Sequence, residues 1–276
     1  MIPLPRPSRD YSADYEAISA RRKSPQVRAQ LTAVAPQVKS AYARYAASID
    51  NYTSVLSTAP KSVKIALRSN FDLLDTGASF EFIRNQLLAE ASGRCPLCAQ
   101  GTPASLDHFL PKEHFPELSV LPSNLIPACE RCNRLKQDKR HVPGGPRFLH
   151  AYFDRLPNEE LLVAAVDTQN SVTVRFEIVR SKRGVDRKTL ADVRYHFQEL
   201  KLGKYYESEA NVELFDRLAA IQMYFDAGGE EAVQAYLGTE HRSCLAKRGP
   251  NYWRTAFYLG LSRSDSFCSG AFQQLV

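Results

Sequence analysis

Cys95-Pro96-Leu97-Cys98 and Cys129-Glu130-Arg131-Cys132 enclose the stretch of sequence that decides the fold. Each C-x-x-C pair places two thiolates on one tight turn, so two such pairs can complete a tetrahedron around one zinc ion. Four thiolates leave no open position for water, and we therefore expect a structural zinc site formed by Cys95, Cys98, Cys129 and Cys132. The spacer between the pairs is longer than in a plain zinc ribbon, so it must contain a folded segment of its own.

The spacer contains Leu106-Asp107-His108-Phe109-Leu110-Pro111-Lys112 and, further on, Asn124-Leu125-Ile126-Pro127. The second cysteine pair leads into Asn133 and Lys136, which are three residues apart and so share one helix face. An aspartate beside a histidine is ordinary surface when it stands alone. Here the enclosing cysteines and the Cys-Asn-x-x-Lys ending favour a catalytic site instead.

This combination of motifs resembles the HNH endonucleases, whose active site is a β-hairpin followed by a helix that grips one metal ion. The resemblance implies that His108 is the general base and that Asp107 and Asn133 hold a divalent ion. It also implies that Asn124 orients the imidazole of His108 and that Lys136 contacts the phosphate. Oxygen ligands of this kind suit magnesium or manganese. Asn133 replaces the last histidine of the family's name, and a similar asparagine occurs in the HNH domain of RNA-guided DNA nucleases.

The charge distribution favours a nucleic-acid partner. The chain has a net charge of +6 and a pI of about 9.0. Residues 130–147 contain six Lys or Arg and two acids, which is a stronger local excess beside the proposed site. We expect nucleic-acid contacts from Arg134, Lys139 and Arg140 in this segment and from Lys112 in the preceding loop. A solvated helix end is the alternative interpretation.

Hydrophobic periodicity predicts a mainly α-helical fold with small β elements, in which a ββα-metal HNH module with its four-cysteine zinc site is embedded between helical segments. Ser24 and Pro25 predict a helix start, and Pro36 predicts a kink in that helix. We divide the chain into an N-terminal helical region (1–92), the HNH module with its zinc site (93–142) and a C-terminal hairpin plus helical region (143–276). The predicted helices are 10–23, 24–49, 60–74, 79–91, 186–201, 204–227, 230–237 and 251–261, and the predicted strands are 161–166 and 172–179.

The sequence also bounds the cellular context. The N-terminal residues 1–7 have no apolar core of signal-peptide length, and no run of about 18 apolar residues predicts a membrane span. Four of the six cysteines are in the two pairs, which look metallic rather than oxidative. We expect Cys244 and Cys268 to be free thiols and the protein to be cytoplasmic.

Two functions from different classes fit these observations. The first is a metal-dependent HNH endonuclease acting on DNA, and the second is a catalytically silent zinc module that binds nucleic acid or a protein partner. A looser resemblance to the small HNH nucleases that accompany an ATPase in defence systems such as Septu implies an anti-phage role and an ATPase partner. A single Asp-His site predicts nicking by a monomer, whereas a homodimer would supply the second site for double-strand cleavage.

Overall fold

The computed structural model describes residues 1–275. These residues form two compact units, Met1–Arg155 and the residues from Leu156 onward. The described residues include ten α-helices, five short 3₁₀ helices and two separate two-stranded hairpins. The prediction of a mainly helical chain with small β elements is therefore confirmed. Within residues 1–275 no helix combines the length and the apolar character needed to cross a membrane.

The first unit begins with five helices that follow the sequence signals closely. The Asp10 side chain accepts hydrogen bonds from the first turn of α1, and Ser24 accepts one from Val27 N–H at the start of α2. The predicted kink at Pro36 appears as a break at Val34, where one helix ends and the next begins. These helices are α1 (Tyr11–Ala20), α2 (Pro25–Ala33), α3 (Ala35–Ser48), α4 (Lys61–Ser69) and α5 (Glu81–Glu90).

The same unit contains the predicted hairpin and helix between the cysteines. Strands β1 (Ser105–His108) and β2 (Leu125–Ala128) are antiparallel, with Ser105 opposite Ala128 and His108 opposite Leu125. Helix α6 (Glu130–Lys136) follows β2 directly. Beyond it, Tyr152 donates its hydroxyl to the Leu125 carbonyl at 2.9 Å, so the chain after residue 142 also supports the hairpin. The division into three regions remains a prediction.

The second unit is a hairpin covered by helices. Strands β3 (Leu162–Asp167) and β4 (Thr173–Ile178) match the predicted alternation, and they are followed by α7 (Arg187–Glu199), α8 (Leu202–Arg248), α9 (Trp253–Ser262) and α10 (Asp265–Cys268). Helix α8 breaks at Gly228 and Gly229, where Gly229 has φ of +63°. Its second half continues through Gly238 and past the predicted end at Leu237. A single glycine inside a helix lowers helix stability by only about 1 kcal/mol relative to alanine, so Gly238 does not end the helix.

Candidate active site and metal centre

The four cysteines of the two C-x-x-C pairs converge inside the first unit. Their sulfur atoms all lie within 4.8 Å of one another, and all four residues are buried. Tetrahedral zinc with Zn–S bonds of about 2.3 Å separates its sulfurs by about 3.8 Å. Cys98 Sγ lies 3.9 Å from Cys129 Sγ, which fits that spacing and is much longer than the roughly 2.05 Å of a disulfide. The cluster therefore has the composition and geometry of a structural zinc site.

The turn after Cys95 shows how the sequence builds half of this cluster. Ala99 adopts a left-handed φ of 59°, and its N–H donates to the Cys95 carbonyl at 2.8 Å. Gly101 N–H donates to Cys98 Sγ at 3.4 Å. A donor aimed at sulfur favours the thiolate, which is the form that binds metal. The second half comes from Cys129, immediately before α6, and Cys132 in the first turn of that helix.

His108 ends β1 and is held by the loop that follows it. Its Nε2 lies 2.8 Å from the Ser119 carbonyl, and a carbonyl can only accept, so Nε2 carries the proton and Nδ1 keeps a free lone pair. The ring is 8 % exposed and packs against Phe71, with 4.5 Å between the ring centroids. Burial lowers the pKa of His108 to about 3, which the Ser119 hydrogen bond only partly offsets.

Asn124 shapes this loop rather than touching the histidine. Its side-chain oxygen accepts from Leu110 N–H at 2.8 Å and from the Tyr45 hydroxyl at 2.7 Å. Its amide nitrogen donates to the carbonyls of Leu110 at 3.0 Å and Leu118 at 3.3 Å. None of these four hydrogen bonds reaches the imidazole of His108, so the orienting role predicted for Asn124 would act through the loop. Asn124 instead holds both ends of the loop that presents the Ser119 carbonyl.

Lys136 is buried beside Asp107. Its side chain is 1 % exposed, and Nζ lies 2.9 Å from Asp107 Oδ2 while donating to the His108 carbonyl at 2.5 Å. Burial raises the pKa of Asp107, an effect that Lys136 opposes. The resemblance to HNH endonucleases implied that Lys136 contacts the phosphate. In the structure its ammonium group faces inward, so it does not reach a phosphate from this position. The difference arises from the way α6 lies against β1, which helical spacing alone does not specify.

Asp107 and Asn133 carry the oxygen types that a hard divalent cation prefers. Asp107 Oδ2 is buried, and Lys136 Nζ lies 2.9 Å from it and balances its charge. The side-chain N–H of Asn133 donates to Ser105 Oγ at 3.0 Å. This hydrogen bond turns the nitrogen end of the amide towards β1. Ser105 and Asp107 are two residues apart and share one face of β1. Carboxylate and amide oxygens are suitable ligands for magnesium or manganese, provided that the Lys136 ammonium withdraws from Asp107.

The residues predicted to contact nucleic acid occupy different positions around the site. Lys112 is half-buried, with Nζ 4.6 Å from the centroid of the Phe71 ring, which itself packs on His108. Arg134 and Arg140 are exposed, and Lys139 is half-buried. Lys112 and His108 therefore both contact Phe71, which places Lys112 near the histidine.

Sequence reasoning missed three residues that hold the histidine and its loop. Ser119 acts through its backbone carbonyl, which leaves no side-chain signal in a sequence. Phe71 and Tyr45 lie at the helical spacing typical of apolar core residues, and that spacing gives no sign of a second contact. Tyr45 is buried, yet its hydroxyl bonds to Asn124 and also lies 3.2 Å from His150 Nε2.

Comparison with known proteins agrees with this geometry. Residues 95–139 match the family model described as HNH endonuclease. This part of the chain therefore forms an HNH domain, with four cysteines arranged for a metal site and helices on both sides.

A protein named ea31 from Escherichia phage lambda is 25 % identical to this chain over 201 residues, covering 67 % of each sequence. No solved structure shows a significant match. The similarity to ea31 therefore extends well beyond the HNH domain.

Proposed function

We propose that this protein is a metal-dependent HNH endonuclease that hydrolyses phosphodiester bonds in DNA. One observation carries the proposal: His108 lies at the end of β1 with Nε2 bonded to a carbonyl, next to the buried carboxylate of Asp107. This arrangement leaves one nitrogen of the histidine able to accept a proton. The match of residues 95–139 to the HNH endonuclease family supports the same conclusion.

In the proposed reaction His108 Nδ1 takes the proton from the attacking water. The Ser119 carbonyl holds the opposite ring nitrogen, which fixes the ring orientation and stabilises the protonated form as it develops. Asn124 keeps the Ser119 carbonyl in place through the loop that it spans. Asp107 and Asn133 would hold magnesium or manganese, which when bound supplies positive charge to the phosphate in the transition state. Lys112, whose Nζ lies 4.6 Å from the centroid of the Phe71 ring, would bind a neighbouring phosphate oxygen.

The alternative is a silent zinc module that only binds nucleic acid or a protein. Such a module needs the four cysteines but has no need for a carboxylate and an oriented histidine on the same strand end. Ser119 fixes the tautomer in which Nδ1 of His108 can accept a proton, as the enzyme requires. The Septu-type role in anti-phage defence, the ATPase partner, the homodimer and the cytoplasmic location remain predictions.

A plasmid-cleavage assay separates the two functions. The purified protein is incubated with supercoiled DNA without added metal, with magnesium, with manganese and with excess chelator, and its zinc content is measured in parallel. We expect cleavage only with magnesium or manganese, while zinc stays at one ion per chain. A zinc-loaded protein that binds the plasmid and leaves it uncut with either ion would support the silent module instead.

A further inference from the structure

The positive charge of this protein is concentrated outside the HNH domain. Residues 17–71 contain nine Lys or Arg and a single acid, Asp50, so their net charge of +8 exceeds the +6 of the whole chain. Asp50 is itself paired with Arg147. The charge that suggested a nucleic-acid partner therefore belongs mainly to the N-terminal helices, where the basic residues are Arg21, Arg22, Lys23, Arg28, Lys39, Arg44, Lys61, Lys64 and Arg68.

Helix α4 presents part of this charge to solvent on one face. Val63, Ala66 and Leu67 are buried on its inner side. Lys61, Lys64 and Arg68 lie at positions i, i+3 and i+7, and are exposed or half-buried. We call these three residues the α4 basic face. The helix contains no acidic residue, so repulsion among these side chains is not relieved within it.

The α4 basic face leads towards the catalytic histidine. The chain continues from α4 into a 3₁₀ helix, Asn70–Leu74, and Phe71 in that helix packs on His108. Arg68 is three residues before Phe71. From Lys61 to Ser69 the helix rises about 12 Å, the axial length of three to four phosphates on one DNA strand. A strand lying across His108 and Lys112 would thus find further basic groups along α4.

Two neighbouring clefts carry further basic residues. One cleft is lined by Arg21, Arg22, Lys23 and Arg28 and has no acidic residue in its wall. Arg22 donates to the carbonyl and the hydroxyl of Ser69 at 2.9 and 2.8 Å, which fixes this cleft against the end of α4.

The second cleft contains Lys64, His114 and Arg140 with one acid, Glu113. It joins the α4 basic face to Arg140, one of the residues predicted to contact nucleic acid. The three surfaces adjoin within the first unit, because Lys64 belongs both to this cleft and to the α4 basic face, and Arg22 is bonded to Ser69 at the end of α4.

We propose that the α4 basic face, continued by Arg21, Arg22, Lys23 and Arg28, binds the phosphate backbone of duplex DNA beside the scissile bond. The inference rests on the proposed nuclease function, because it concerns the substrate of the same site. DNA fits better than an acidic protein, since protein interfaces have an apolar core and Ile65 is the one large apolar residue exposed on this helix. Contacts of this type position the duplex without reading its sequence.

The test is the salt dependence of DNA binding. It is measured without added divalent ion, so the readout is binding alone and does not depend on cleavage. A 30-base-pair duplex is titrated with wild type, with Lys61→Gln/Lys64→Gln/Arg68→Gln, and with a control variant, Arg183→Gln/Lys204→Gln/Lys247→Gln. Both variants lose three positive charges, but the control residues lie in the second unit. Circular dichroism and thermal unfolding establish that both variants are folded.

The logarithm of the DNA-binding constant falls linearly with the logarithm of the salt concentration, and each lost phosphate contact makes this slope shallower by about 0.9. We expect the α4 variant to lose two to three units of slope and at least tenfold in affinity at low salt, and the control variant to match wild type. An α4 variant with unchanged slope and affinity overturns the proposal, as does equal loss in the control variant. Preference for duplex RNA over duplex DNA would also overturn it.

The same measurements keep this proposal separate from the nuclease function. If the protein cuts plasmid but the α4 variant binds like wild type, the DNA surface is refuted and the nuclease stands. If the α4 variant loses slope as expected but wild type never cuts, the nuclease is refuted and the DNA surface stands.

Discussion

At the scale of single residues, the unexpected feature is the buried pair of Lys136 and Asp107. Residue types and spacing predicted that both belong to the site, but they predicted an outward-facing lysine. Burial is decided by the register between α6 and β1, which is a tertiary property. The structure places Lys136 Nζ 2.9 Å from Asp107 Oδ2, with the two side chains 1 % and 5 % exposed. Lys136 therefore neutralises the carboxylate that we propose as a metal ligand.

This pair predicts a strong dependence of stability on having both partners. Lys136→Met should lower the free energy of unfolding by about 3–5 kcal/mol, because it leaves a buried carboxylate without a counter-charge. The double variant Lys136→Met/Asp107→Leu should recover most of that loss, since both charges are then absent. Urea unfolding of wild type, both single variants and the double variant measures the coupling. A single Lys136→Met variant as stable as wild type would show that Asp107 is not held by this contact.

At the scale of elements, local sequence signals were sufficient for the helices but not for the loop of the site. Ser24, Pro36 and the glycines at 228 and 229 act within a few residues of themselves, so their effects could be predicted. The loop from Phe109 to Asn124 is held by long-range bonds, including Tyr45 to Asn124 and the two hydroxyls of Tyr52 and Ser54 to Glu117. Nothing local in the sequence indicates those partners.

The zinc site makes a prediction at this scale. A hairpin and a two-turn helix bury little apolar area, and structural zinc contributes about 10–16 kcal/mol of apparent binding energy in small modules. Cys129→Ser should therefore lose zinc and unfold residues 95–136 locally. Metal analysis and hydrogen exchange measure both effects. Cys244→Ser, in the second unit, is the matched control and should keep one zinc ion per chain. Full zinc occupancy in Cys129→Ser would contradict the four-cysteine site.

At the scale of the whole molecule, composition predicted a basic protein but did not locate its charge. A count along the sequence finds the excess in residues 17–71, but only the packing of α4 shows which of those side chains face solvent. The HNH domain was predictable because its cysteines, Asp107 and His108 form a compact motif. The surface that we propose for DNA is spread over separate helices and has no motif of its own.

The single site per chain makes a prediction about products. One Asp107–His108 site reaches one strand of a duplex at a time, so a monomer should nick supercoiled plasmid before any linear DNA appears. Linear product should form faster at higher protein concentration if dimers supply a second site. A cleavage time course, with the mass of the protein in solution measured in parallel, follows both steps. Linear DNA formed without a nicked intermediate by a protein that stays monomeric would contradict this prediction.

The central claim is that His108 is the base of a DNA-cleaving HNH site, and the most direct test compares His108→Ala with wild type. His241→Gln in the second unit is the control, because it changes a histidine far along the chain while keeping a hydrogen-bonding side chain. Initial rates of plasmid cleavage are measured with saturating magnesium or manganese, after zinc content and thermal unfolding show that each protein is folded. We expect His108→Ala to be slower by about 10²- to 10⁴-fold, the usual contribution of a positioned base, and His241→Gln to match wild type. A folded, zinc-loaded His108→Ala protein that cleaves at the wild-type rate would contradict the account.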